Sequence, residues 1–268
     1  MRQRTVRAWL WTSCFLGAVI IGLPFWLPLD ATSQNLQFSL QGPSWSNPLG
    51  TDHLGRDVLS RLLQGGPRSL GIALIAVGTA TIFGTTIGLL AAYAGRWADA
   101  LLMRLTDLML AFPGILLVLL LAGLLGGGPL PLIIGIAFSH WPQFARLSRN
   151  IAIGIIQEPQ VEASQIAGLS PLLILSRQVL PLVLQQCVVI AALGIGSAIM
   201  TISALGFLGL GMQPPTPEWG AMITELLPYL DVAPIQVAAP CFAVFLTVLW
   251  FTLMSQALAD RAANRVPT

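Results

Sequence analysis

The chain has 268 residues, 55% of them hydrophobic and 9% charged, and a net charge of +2. A soluble domain carries about 25% charged residues, so this composition, with a mean hydropathy of +0.79, leaves a polytopic all-α membrane protein. The small net charge argues against a nucleic-acid surface, and the thirteen basic residues are all arginines, so there is no lysine for a Walker A phosphate site or a Schiff base.

The elements follow in chain order. Residues 8–27 are an apolar run after MRQRTVR. The run is nearly full span length and lacks a small-x-small cleavage site, so an uncleaved first helix after a cytosolic stretch 1–7 is expected. A 39-residue outer segment from Leu29 to Pro67 includes GTDHLGRDVLSRLL. Further spans are expected at 69–94, 101–125, 130–145, 182–210 and 237–258, all but the third of these apolar over about 20 residues or more. The fourth is the shortest and is interrupted by Pro142. Gly71, Gly78, Gly84 and Gly88 in the second span have small-residue spacings that suit close helix packing. In the third, Asp107 lies one turn after Arg104, and an i, i+3 ion pair is expected.

Residues 146–181 are polar between apolar runs, and two short helices are expected there. Pro159 suits the first position of one and Gly168 its left-handed stop; Ser170-Pro171 suits the cap and first position of the next. A helix from Pro159 to Ala167 would be about 13 Å long, too short to span a bilayer and the right size for a groove on another protein. A second outer segment, Gly211–Gln236, includes MQPPTPEWGAMI, where three prolines impose an extended path and Trp219 suits a membrane interface.

Six spans with the N-terminus inside leave Arg2, Arg4, Arg7, Arg96, Arg104, Arg146, Arg149, Arg177, Arg261 and Arg265 on the inner side. Only Arg56, Arg61 and Arg68 lie outside. That bias follows the positive-inside rule and puts both termini and the 146–181 segment in the cytosol. Cys14, Cys187 and Cys241 lie singly in apolar runs, without a disulfide pattern. His53 and His140 lie far apart in the chain, with no H-x-x-H motif, so no metal site and no cofactor are expected. The chain reads as one domain.

Glu162-Ala163-Ser164, then Gly168, then Leu180-Pro181 resembles the EAA loop of binding-protein-dependent ABC importer permeases. Ser164 replaces the second alanine of that pattern, and Gln178 stands at its isoleucine position. GTDHLGRD at 50–57, DALLMRLTDLMLAFPGILL at 99–117, ARLSR at 145–149 and FLGLGMQPPTPEWGAMI at 207–223 resemble further signatures of one branch, the C-type permeases of peptide and nickel importers. The resemblance implies a type I importer permease (MetI-like) fold in a bacterial inner membrane, without catalysis of its own. It implies a second homologous permease subunit, two cytosolic ATPase subunits and an exported substrate-binding protein as partners. A coupling helix at about Val161–Leu169 would dock on the ATPase through Glu162, Ala163, Ser164 and Gly168, with Leu180 and Pro181 closing the unit. Gly50, Thr51, Asp52, Gly55, Arg56 and Asp57, with Pro217, Glu218, Trp219 and Gly220, would form the outer motif.

The mid-span regions are nearly free of ionisable residues, which disfavours the competing reading of a self-contained secondary transporter. GTDHLGRD with AFSHWPQFARLSR is somewhat closer to permeases for nickel or a metal–metallophore complex. Di- and oligopeptides are the alternative cargo.

Overall fold

A computed structural model describes residues 30–263; the expected first span at 8–27 lies outside the described residues. The described chain is helical. Its elements are α1 (Val58–Tyr93), α2 (Arg96–Leu110), α3 (Gly114–Leu125), α4 (Pro129–Ile156), α5 (Pro159–Ile166), α6 (Pro171–Phe207), α7 (Trp219–Leu226) and α8 (Pro234–Ala263). By length and composition, α1, α6 and α8 can each cross a membrane, and the bent pair α2–α3 is a fourth candidate.

Several expected boundaries move, each for a local reason. The second span, expected from residue 69, is part of a helix that starts at Val58. The Asp57 carboxylate caps it by accepting from the Ser60 amide at 2.7 Å, and Pro67 is accommodated inside the helix. With 36 residues, α1 is about 54 Å long, well beyond a hydrocarbon core of about 30 Å. The third span is two helices, bent by 81° where Phe112-Pro113 breaks the ladder. Proline lacks the amide hydrogen and disfavours helix in the residue before it. The fourth runs straight through Pro142 to Ile156. Only one ladder bond is lost there, and Trp141, Phe144 and Ala145 are buried around it. Residues 146–156 are therefore the end of α4, residues 171–181 begin α6, and the turn segment between helices shrinks to a short hairpin.

Side-chain contacts give the helix directions. Gly84 of α1 lies against Trp141–Ala145 of α4 and Gly88 lies against Ala145–Arg149, so α1 and α4 run parallel. Gly114 meets Ser139 and Val118 meets Gly135, so α3 runs antiparallel to α4. Thr85 meets Cys187 and Gly194 meets Val77, which makes α6 antiparallel to α1. Gly196 packs on Val248 and Phe251, and Ser255 donates to the Val189 carbonyl at 2.8 Å, so α8 returns antiparallel to α6. The directions therefore alternate through α1, α2–α3, α4, α6 and α8. Residues 30–57 and 208–233 meet at one end of the bundle, and residues 94–95 and the 157–170 hairpin lie at the other.

Of the four glycines in the second span, Gly84 and Gly88 make the close approach to α4, whereas Gly71 and Gly78 face open space. The expected Asp107–Arg104 pair is replaced by Asp107–Arg146, and Asp99 takes a two-pronged contact from Arg149. Both pairs tie α2 to α4.

Candidate functional site

At one end of the bundle, α5 is an eight-residue helix standing on a single buried side chain, Val161, which is 1% exposed. Pro159 occupies its first turn and Ala167 caps it. Gly168 then adopts φ +79°. The Gly168 amide donates to the Gln165 carbonyl at 3.0 Å and the Leu169 amide to the Ser164 carbonyl at 3.1 Å. These are the paired bonds of a Schellman stop, which needs a residue tolerant of the left-handed region. The helix is thus 159–166, two residues earlier at its start and three shorter at its end than the 161–169 expectation.

Ser170 caps the start of α6 by accepting from the Leu173 amide. Leu180 and Pro181 do not close the hairpin: they lie within α6, directly after a π-helical turn at Leu175–Val179 in which the Leu180 amide reaches Leu175. A wide turn of this kind accommodates a proline that cannot donate to the fourth carbonyl back. Glu162, Ala163 and Gly168 are exposed, as are Ile166 (81%) and Leu172 (77%). The hairpin therefore presents two large apolar side chains and an acid to whatever lies beyond the bundle.

Ser164 and Gln178, read separately in the sequence, touch each other. The Gln178 side-chain amide donates to Ser164 Oγ at 2.8 Å, and Ser164 Oγ donates to the Gln160 carbonyl at 2.9 Å. The bond ties α5 to α6 across the Gly168 turn.

At the opposite end, the two outer stretches close on each other. Thr51 and Asp57 form an isolated antiparallel bridge, with Gly50 at φ +74° and Gly55 at φ +72° turning the loop. A Cβ at Gly55 would strike the Asn35 backbone. The turn delivers Asp52 into the interior, where Arg56 Nε donates to it at 2.6 Å and Arg61 Nη1 at 2.5 Å. Both arginines also reach Glu225 of α7, at 2.6 and 2.7 Å. Asp52 and Arg61 are fully buried and Arg56 is 1% exposed. Two charges of each sign sum to zero, as a desolvated cluster requires. Burial alone would raise the Asp52 carboxyl, but hydrogen bonds from Arg56 and the charges of Arg56 and Arg61 outweigh it and hold the group below the usual aspartate range.

Beside this clasp, the Glu218 carboxylate caps α7 by accepting from the Gly220 and Ala221 amides at 2.8 and 2.9 Å. Burial pushes its carboxyl above the usual glutamate range. Trp219, expected at a membrane interface, is instead 3% exposed, and its indole donates to the Leu62 carbonyl of α1 at 2.9 Å. Pro217 leads into this cap, and Gly220 sits so close to the Ser203 backbone that no Cβ fits.

Sequence reasoning missed Glu225, Arg61 and Gln178 as members of these sites. Glu225 lies 169 residues from Arg56, and nothing local marks it. Asp52, His53 and Glu225 bring potential ligand atoms within 4.8 Å of one another, but both carboxylates already neutralise Arg56 and Arg61. The donor set therefore does not suit a resident cation. His53 stacks on Tyr229 with centroids 5.6 Å apart, and His140 bonds instead to Ser197 of α6.

Comparison with known proteins places the chain in a family. The chain is 39% identical over 247 residues to the glutathione transport system permease protein GsiD of Pectobacterium atrosepticum, covering 90% of this chain and 82% of that one. It is 42% identical over 221 residues to the dipeptide transport system permease protein DppC of Alkalihalophilus pseudofirmus, covering 82% and 73%. Its fold matches an inward-facing structure of the MetNI methionine ABC transporter with a TM-score of 0.57 at 18% identity, covering 75% of this chain and 97% of that one. Residues 84–266 match the family described as binding-protein-dependent transport system inner membrane component, and with that match over most of its length the chain belongs to that family of ABC importer permeases.

Proposed function

We propose that this chain forms half of the membrane pathway of an ABC importer for short peptides, and that it couples the pathway to ATP hydrolysis on two cytosolic ATPase subunits. The observation that carries the coupling role is the α5 hairpin. It is a rigid helix of about 12 Å, stopped by Gly168 and exposing Glu162, Ile166 and Leu172 at the end of the bundle away from the clasp. A short helix with a fixed stop transmits rigid-body motion better than a flexible loop. The Ser164–Gln178 bond joins it to α6, so movement of the hairpin moves a span.

The reading includes six crossings, with 8–27 as the first, and places both termini and the hairpin in the cytosol of a bacterial cell. A second homologous permease supplies the other half of the pathway, and an exported binding protein docks on the clasp end, where Trp45 is fully exposed and Leu36 is 70% exposed. Glutathione and dipeptide transport are named for the relatives, which reverses the lean toward nickel. The test is uptake by the complete four-subunit transporter with its binding protein in proteoliposomes, supplied in parallel with labelled dipeptide, glutathione and nickel chelate. ATP-dependent accumulation of peptide or glutathione is expected. Accumulation of nickel alone would restore the metal reading, and uptake by this chain without its partners would favour a secondary transporter.

A further inference from the structure

Most exposed helix faces are what a bilayer requires. On α8, Phe242, Phe245, Leu246 and Leu249 are 60, 58, 45 and 41% exposed, and all are apolar. One face of α4 is different. Ser139, Gln143, Arg146 and Asn150 recur at i, i+4, i+7 and i+11, which places them on one side of the helix. Gln143, Arg146 and Asn150 are exposed and Ser139 is half-buried. Arg146 pairs with Asp107 of α2 and, like Asn150, lies toward the hairpin end. Gln143, however, lies within the expected span, where an exposed side-chain amide facing hydrocarbon would cost several kcal/mol, so this face meets water or protein. On the neighbouring face of α6, Ser197 is exposed between the apolar Leu193 and Met200.

The two faces join at His140, near the middle of the 28-residue α4. Its Nδ1 lies 2.9 Å from both the Ile136 carbonyl and Ser139 Oγ. The carbonyl can only accept and the Ser139 hydroxyl donates to that same carbonyl at 2.9 Å, so Nδ1 carries the hydrogen. In the neutral ring Nε2 is then an acceptor, 3.0 Å from Ser197 Oγ. That hydroxyl is also 2.9 Å from the Gly194 carbonyl. One hydroxyl hydrogen serves two acceptors, so the pair has acceptor capacity to spare and carries no negative charge. Cargo rich in N–H groups matches it, and a neutral contact holds such cargo weakly enough to release it, as a conducting path requires.

We propose that the Ser139–Asn150 face of α4, with Ser197 of α6, is a wall of the cargo pathway. The His140–Ser197 pair is a transient acceptor on that wall for the ammonium and amide N–H groups of a passing peptide. The identity of the cargo rests on the importer reading above; the position of the wall does not.

The test uses the complete reconstituted transporter with Cys14 and Cys241 replaced by serine and the buried Cys187 left in place. Ser197→Cys, Gln143→Cys and, on the apolar face, Phe245→Cys are treated with a charged, water-soluble thiosulfonate. Cysteines at 197 and 143 are expected to react at least about tenfold faster than one at 245, because the thiolate must meet water to react, and excess dipeptide is expected to slow reaction at 197. Equal, slow reaction at all three positions would overturn the wall and make this face a dry seam with the second permease. His140→Leu is expected to lower peptide uptake about tenfold, and His140→Gln, which keeps an acceptor, about threefold or less. Unchanged uptake in His140→Leu would remove the acceptor step. Failure of the unsubstituted transporter to take up peptide would instead overturn the peptide reading, and the labelling pattern would still report the wall.

Discussion

Two residues show how far a single position can control this molecule. Gly168 holds φ +79°, and a Cβ there would meet open space, so substitution is penalised through the backbone and not by a clash within this chain. Gly168→Val is expected to cost about 2 kcal/mol in that turn, with loss of ATPase co-purification and of uptake but an unchanged helical circular dichroism spectrum. Gly168→Asn, which tolerates the left-handed region, should retain most association, and a fully active valine variant would show that the stop is unnecessary.

Asp52 presents the opposite case, a buried charge with four hydrogen bonds. Asp52→Asn leaves Arg56 and Arg61 sharing Glu225 alone, and is expected to destabilise the chain by about 3 kcal/mol. The Asp52 carboxyl is lowered by its partners, so its contribution is present above the ordinary aspartate range and is lost only as pH falls through the lowered value. In melting curves, the gap between the wild type and Asp52→Asn should therefore stay constant from about pH 7 to about pH 4 and close only below that. A gap that closes nearer neutrality would mean that Asp52 is not held by the arginines.

At the scale of elements, the contacts that matter connect helices the sequence treats separately. The Ser164–Gln178 bond spans the turn between α5 and α6, and both residues depart from the common pattern of the loop. Ser164→Ala and Gln178→Leu should each cost about 1 kcal/mol, and the double variant should cost little more than one of them. Strict additivity in denaturant unfolding would show that the two side chains act independently. The α1–α4 seam is tighter still. A Cβ at Gly88 would press on the backbone of Ala145 and Arg149, and backbone cannot rotate away. Gly88→Leu should separate the helices at a cost of about 3 kcal/mol, read as loss of folded protein in detergent. Gly78→Leu, facing open space, should be tolerated.

For the whole molecule, the alternation of helix directions makes a topological prediction. With six crossings, the clasp end and the hairpin end are expected on opposite sides of the membrane. Cysteines at Ser46 and Gln213, in a chain lacking its native three, should react with an impermeant maleimide in intact cells. One at Gln165 should react only after lysis. Labelling of all three from outside would overturn the cytosolic hairpin and with it the coupling role.

Composition and periodicity alone determined that this chain is an all-helical membrane protein without a Walker A lysine, because the shortage of charge and the absence of lysine are properties of the whole chain that no folding can alter. The Gly168 stop and the Ser170 cap are local too, since each depends on residues only a few positions apart. Helix ends were less legible. Asp57 started α1 early, Phe112-Pro113 bent the third span, and Pro142 failed to end α4, because burial of Trp141 and Phe144 outweighed one missing ladder bond. Only the tertiary structure decided the rest. Arg56 and Arg61 find Glu225, Asp107 finds Arg146 rather than Arg104, Trp219 turns inward to Leu62, and His140 meets Ser197. Each joins residues far apart in the chain, and the choice among partners depends on which helices pack side by side, a property of the assembled bundle that no local stretch of sequence contains.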